Sequence, residues 1–330
     1  MRGRFELEDS MLGRFESAAV YLKAVTDSSP GSKVISRNVC VYRFPSADGR
    51  HFVVAKVART LGPAMRKALC NEYSALEEVK NRAGDALGAS VPHPLALLEE
   101  QGILVMSGVG GVSLDATLRR QANVLRGRFR RRRMHDLGVL VGTWLRQFHV
   151  ATVAGSQPHD HCNYLRELDS NICRSQEFGL SASALQTVRD GVEATSGILN
   201  GTKVPTAAAH GDFLPQNILV CGTGAGVVDF GSYCAEAPVY RDLAHLSAYL
   251  TLLANRLTYS GSALESLERG FLTGYGGTLN ADLLKIYGVS ALLRIINDRS
   301  CVLTAGRSRR IEQLLLSLSS VGTVTARRGL

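Results

Sequence analysis

Between His210 and Gly231 the chain reads His-Gly-Asp-Phe-Leu-Pro-Gln-Asn-Ile-Leu-Val, then a glycine-rich turn, then Val-Val-Asp-Phe-Gly. Asp212, Asn217 five positions later, and Asp229 at the end of a short apolar strand are residue types that phosphoryl transfer needs in one place. An acid can orient an attacking hydroxyl and accept its proton late in the reaction. An amide oxygen and a second carboxylate can hold the divalent cation that bridges the phosphates. Hard oxygen donors from few side chains suit Mg2+ better than zinc. Asp212 is therefore the candidate base, and Asn217 and Asp229 are candidate metal ligands. His210 is expected to pack under this loop and fix its backbone.

A second pair of polar residues stands where apolar ones belong. Lys56 interrupts the strand-like run Val54-Ala55-Lys56-Val57-Ala58. Glu72 falls between Leu69 and Leu76 on the apolar stripe of a helix expected from Pro63 to Lys80. A carboxylate on a core face is costly unless it is paired. Lys56 and Glu72 are expected to form that pair and to hold the α- and β-phosphates of a nucleotide.

Gly211 stands where protein kinases carry Arg. His-Gly-Asp with Asn five residues on resembles the aminoglycoside phosphotransferase and choline kinase-like superfamily. The similarity continues at Glu72-Tyr73-Ser74-Ala75-Leu76, at Asp242-Leu243-Ala244 and, more weakly, at Phe271–Tyr275. The strong part covers about 35 residues, and weaker similarity runs from about residue 34 to about 275. The resemblance implies an α+β, two-lobed protein kinase-like fold with a small antiparallel-sheet lobe and a mostly helical lobe. It implies ATP or GTP with Mg2+ in the cleft between lobes, and a small-molecule hydroxyl as acceptor. It also implies that Asp242 braces the catalytic loop and that the backbone at Ser107 and Val109 pairs with the adenine edge. The chain departs from protein kinases in having no Gly-x-Gly-x-x-Gly before Lys56. The equivalent stretch is Gly31–Asn38, with Ser36 a candidate phosphate contact.

The elements that must position these groups are legible around them. Asn38–Phe44 and His51–Arg59 alternate as strands joined by a turn at Pro45–Gly49. Leu95–Glu99 and Gly102–Met106 add two more strands to a small antiparallel sheet, and Ser107–Val112 reads as a crossing between lobes. Residues 1–30 form an extension with a helix expected near residues 12–25; residues 31–107 form the first lobe and 108–330 the second. Met134–Phe148 has a helical apolar stripe that His149 closes as a core histidine. Further helices are expected near Arg241–Arg256, Ala263–Tyr275, Ala281–Asp298 and Arg309–Leu318. Gly222–Gly226 lies between two apolar strands, so a hairpin turn is expected there and not a dinucleotide-binding loop. His159-Asp160-His161-Cys162 reads as a loop near the acceptor pocket. Four consecutive residues converge poorly on one zinc ion.

Composition narrows the class. With 330 residues, 45% hydrophobic and 20% charged, the chain has the make-up of a soluble globular protein of about two domains. No stretch approaches the roughly 18 apolar residues of a membrane span, and seven cysteines without paired spacing fit reduced thiols and a cytoplasmic location. The net charge of +9 is local, because Arg126–Arg133 holds six arginines and the rest has 32 basic against 29 acidic residues. That run is a solvated helix start or a contact for an anionic partner. It supports an alternative: an inactive kinase-like scaffold that binds nucleic acid or an anionic surface. The intact set Lys56, Glu72, Asp212, Asn217 and Asp229 favours catalysis instead. A protein kinase is disfavoured by Gly211 and by the lack of an Ala-Pro-Glu segment. Since cationic acceptors need carboxylates, the arginine run tilts the acceptor toward a neutral or anionic hydroxyl compound.

Overall fold

The structure, a computed structural model, describes residues 32–35, 38–45, 52–127, 129–222, 224–298 and 303–320. The helix expected near residues 12–25, Ser36 and most of the Pro45–Gly49 turn lie outside the described residues. The chain forms two compact units. One holds the described residues up to Gly111 together with Gly226–Tyr233, and the other holds Val112–Ala225 and the residues from Cys234 onward.

The first unit is built on strands β1 (Ser32–Ile35), β2 (Val39–Pro45), β3 (Phe52–Ala58), β4 (Pro94–Leu98) and β5 (Ile103–Ser107), in the antiparallel order β1-β2-β3-β5-β4. Alternation along β2, β3 and β5 sends Tyr42, Phe44, Ala55, Val57, Ile103 and Val105 into one core. Lys56, between two of them on β3, lies opposite Val41 and Leu104. Strand β1 was not anticipated, since four residues reading Ser-Lys-Val-Ile carry too little alternation to register. Helix α1 (Pro63–Leu87) starts with proline in its first turn and stops at Gly88, whose φ of 50° ends the helix. It runs two turns beyond the expected Lys80, because Ala83 and Leu87 continue the buried stripe of Leu69, Leu76 and Val79.

The second unit begins with β6 (Val112–Ser113), α2 (Leu114–Gln121), α3 (Val124–Gly127) and α4 (Arg131–Ala151). Next come β7 (Val153–Pro158), α5 (His161–Glu177), α6 (Ala182–Glu193), α7 (Ser196–Leu199) and β8 (Lys203–Ala209). After β9 (Ile218–Cys221), β10 (Gly224–Val227, whose last two residues belong to the first unit) and β11 (Cys234–Pro238), the chain ends in α8 (Tyr240–Ala254), α9 (Gly261–Tyr275), α10 (Ala281–Asn297) and α11 (Ala305–Ser319). The four C-terminal helices match their expected positions to within a few residues. The sheet β11-β8-β7 was not foreseen, because β7 is exposed along its whole length and shows no apolar alternation.

Helices α4 and α9 meet backbone to backbone. A Cβ on Gly142 would fall 2.0 Å from the Phe271 carbonyl oxygen, and one on Gly270 would fall 2.0 Å from that of His135. Gly138 and Gly274 continue this seam. Any side chain there would push the helices apart, so glycine is a packing requirement at these positions.

Candidate active site

In the first unit, Lys56 Nζ lies 2.5 Å from Glu72 Oε1 and 2.7 Å from Asp229 Oδ1. Glu72 is buried on the inner face of α1, so the expected pair is present and a third member joins it. Burial alone would depress the lysine pKa, but Asp229 and then Glu72 outweigh it and raise the pKa above the ordinary value. Two carboxylates share the one ammonium. The Asp229 side chain is half exposed.

Asp229 has φ 71° and ψ 64°, and it is the only described residue other than glycine with a positive φ. Such backbone is uncommon outside functional turns. Its neighbours hold it there. Phe230 is fully buried, and Tyr233 OH accepts from Arg82 of α1, which also bonds Glu78. On the same segment, Gly226 leaves room for the Val109 side chain, whose Cγ1 would lie 2.6 Å from an added Cβ. Ser107, the other residue expected at the adenine edge, donates its N–H to His93 O and accepts the His93 N–H on its hydroxyl. What its backbone can offer a base is therefore the carbonyl.

In the second unit, β8 delivers the loop that carries Asp212. Asp242, fully buried on α8, accepts the His210 N–H at 2.7 Å on Oδ2 and the Gly211 N–H at 2.9 Å on Oδ1. Gly211 takes a φ of 81°, a left-handed conformation that glycine adopts without strain. His210 is buried, and its Nδ1 accepts the Asp212 N–H at 3.3 Å. Phe213 anchors the loop in the core between Trp144 and Phe271. Asn217 Nδ2 donates to Asp212 Oδ2 at 2.8 Å and to its backbone oxygen at 2.9 Å, so its amide tethers the acid.

The bracing carboxylate is itself supported. His149 lies with Nδ1 3.0 Å from Tyr275 OH and Nε2 3.6 Å from Asp242 Oδ2, the second distance too long for a hydrogen bond. Burial opposes ionisation of Asp242, but the imidazoles of His149 and His210 and the Gly211 amide prevail and hold its pKa at about 2. A folded pKa below the unfolded value of about 3.9 contributes stability that is complete above pH 4 and lost as pH falls toward 2. Thermal melts of the wild type should therefore lose about 2 to 3 kcal/mol through this group over that window. Asp242→Asn should melt lower at pH 7 and show a shallower acid limb. An acid limb of unchanged slope in that variant would rule out this linkage.

The remaining candidates are placed as follows. His161 and Cys162 open α5, with Asp160 as its N-cap, so the stretch expected as a loop is partly helix. The two histidine rings pair with each other, Nε2 of His159 to Nδ1 of His161 at 3.2 Å. His159 and Asp160 line a cavity of about 790 Å3 formed wholly by the second unit. Arg131, Arg132 and Arg133 are exposed on the first turn of α4; Arg126 lies within α3, and residue 128 lies outside the described residues. Among the described residues no cluster of three or more His, Cys, Asp or Glu could hold a metal. Asp229 offers a half-exposed carboxylate oxygen, a hard donor of the kind Mg2+ prefers. No described helix is long and apolar enough to cross a membrane.

Comparison with known proteins gives a family and a fold. The model of the phosphotransferase enzyme family matches residues 41–280. No curated protein matches the chain in sequence. Among solved structures, the ADP-bound aminoglycoside phosphotransferase APH(2'')-Ib is 13% identical, with a TM-score of 0.58 over 95% of this chain and 98% of that one. A choline/ethanolamine kinase family protein from Mesorhizobium loti is 17% identical, with a TM-score of 0.56 over 94% and 100%. A glucosamine kinase is 16% identical, with a TM-score of 0.51 over 98% of each chain. At these identities the likeness shows the fold, the α+β kinase-like architecture expected from the sequence.

Proposed function

Because the chain belongs to the phosphotransferase enzyme family, we propose that it moves the γ-phosphate of ATP to a hydroxyl of a small molecule. The observation that carries this reading is Lys56 held between Glu72 and Asp229. The lysine has a raised pKa and faces half-exposed carboxylate oxygen, an arrangement that suits a triphosphate and its cation. The inactive-scaffold alternative gives no reason to keep that cluster or the tethered Asp212.

In the reaction, Lys56 binds the α- and β-phosphates and Glu72 fixes the lysine. The Ser107 carbonyl and the Val109 N–H receive the purine edge. Asp229 and the Asn217 amide oxygen would hold Mg2+, which when bound neutralises charge on the β- and γ-phosphate oxygens. Asn217 meets Asp212 through Nδ2, which leaves its amide oxygen for the cation. Asp212 orients the acceptor hydroxyl and takes its proton as the new oxygen–phosphorus bond forms and the β–γ bridge breaks, releasing ADP. His210 and Asp242 act through the loop backbone and touch neither substrate. A triphosphate donor fits a reaction in the cytoplasm.

The test is ADP release against a panel of hydroxyl compounds covering sugars, hydroxy acids, aminoglycosides, macrolides and amino alcohols. We expect at least one acceptor to release ADP in step with its own phosphorylation, and a chelator of divalent cations to abolish this. Release that ignores every acceptor would sink the proposal.

A further inference from the structure

The 790 Å3 cavity of the second unit has a size suited to a small molecule. Two arginines face it, Arg241 on the first turn of α8 and Arg294 near the end of α10, with His245 one turn along α8 from Arg241. Among the described residues neither guanidinium has a salt bridge or a side-chain hydrogen bond. Arg241 Nε and His245 Nε2 are buried with no partner, although buried donors are normally satisfied. Burial first, and then the charge of Arg241, push the Arg294 pKa below its ordinary value.

Three carboxylates share the cavity, and each already accepts a hydrogen bond. Asp160 accepts the Asn163 N–H at 2.9 Å, Glu167 accepts Asn163 Nδ2 at 3.4 Å, and Glu236 accepts the Thr206 hydroxyl at 3.2 Å. The group left without a partner is the buried Arg241 Nε–H, which calls for an acceptor that an anion can supply. Its walls also lead to the catalytic loop: Cys234 lines it and pairs with Ala209, the residue before His210. Arg241 directly precedes Asp242, which holds the loop amides.

We propose that Arg241 and Arg294 seat an anionic group, a carboxylate or a phosphate, on the acceptor. The substrate class is then hydroxyl compounds with a negative charge, not the amine-rich compounds that a purely acidic pocket would select. This inference rests on the phosphotransfer reading for the word acceptor, and the seat itself can be tested without turnover.

Calorimetry with inorganic phosphate and with malate provides that test. The wild type should take up at least one of them, and Arg294→Gln and Arg241→Gln should each weaken uptake by roughly tenfold or more, as expected for loss of a charged hydrogen-bond donor. Preference for phosphate points to a phosphorylated sugar, and preference for malate to a hydroxy acid. With an anionic acceptor, Arg294→Gln should raise acceptor KM by a similar factor while kcat and nucleotide KM hold. Uptake of neither anion, or uptake unchanged in both variants, overturns the seat. So does best turnover on aminoglycosides that Arg294→Gln leaves untouched. Arginine-dependent uptake without any acceptor-dependent ADP release would instead sink the phosphotransfer reading and leave the seat standing.

Discussion

Asp212→Ala should lower turnover by about two to four orders of magnitude, the usual contribution of a positioned base, while nucleotide affinity stays close to wild type. The split follows from where the groups lie. Lys56, Glu72 and Asp229 belong to the first unit and pair with one another there, whereas Asp212 belongs to the second. Asn217 loses the side-chain oxygen that its amide now holds, but keeps its bond to the backbone carbonyl of residue 212. The loop itself is fixed by Asp242 and Phe213 and should retain its shape. Steady-state ADP release together with calorimetric nucleotide titration would read both quantities. Turnover at the wild-type level would remove Asp212 from the chemistry.

Asp229→Asn should abolish most of the magnesium-dependent gain in nucleotide affinity, a loss of at least roughly tenfold to a hundredfold by comparison with substitutions around metal sites. Asn is chosen because it tolerates left-handed backbone, so the φ of 71° can persist while the charge is removed. Lys56 then keeps only Glu72 as a charged partner, and its pKa should fall, since Asp229 is the stronger of the two influences raising it. Affinity measured in chelator should change far less than affinity in magnesium. If the magnesium-dependent gain survives the substitution, Asp229 is no metal ligand.

Some of this was readable in advance because polar residues on apolar faces announce themselves. Lys56 within a strand and Glu72 on a buried stripe each demanded a partner, and the sequence motif around Asp212 supplied a chemistry for both. Asp229 as a second partner of Lys56 was not readable, because it depends on residues 173 positions apart in the chain. The cavity arginines escaped for the same reason. Arg241 opens the helix expected from Arg241 to Arg256 and Arg294 falls inside the one expected from Ala281 to Asp298, and only the folded backbone brings them to one wall. Strand β7 went unseen because its six residues are exposed and carry no pattern. The longer run of α1 was overlooked because Ala83 is too small to weigh in a stripe, although it is buried.

The glycine seam joining α4 to α9 has a consequence for the cavity. The cavity walls come from α5, α8, α10 and the β7-β8-β11 sheet region, and neither seam helix contributes to them. Wall residues can therefore change without touching the backbone contact that the seam glycines make, so the shape of the cavity and the joint between the two helices are set by separate residues.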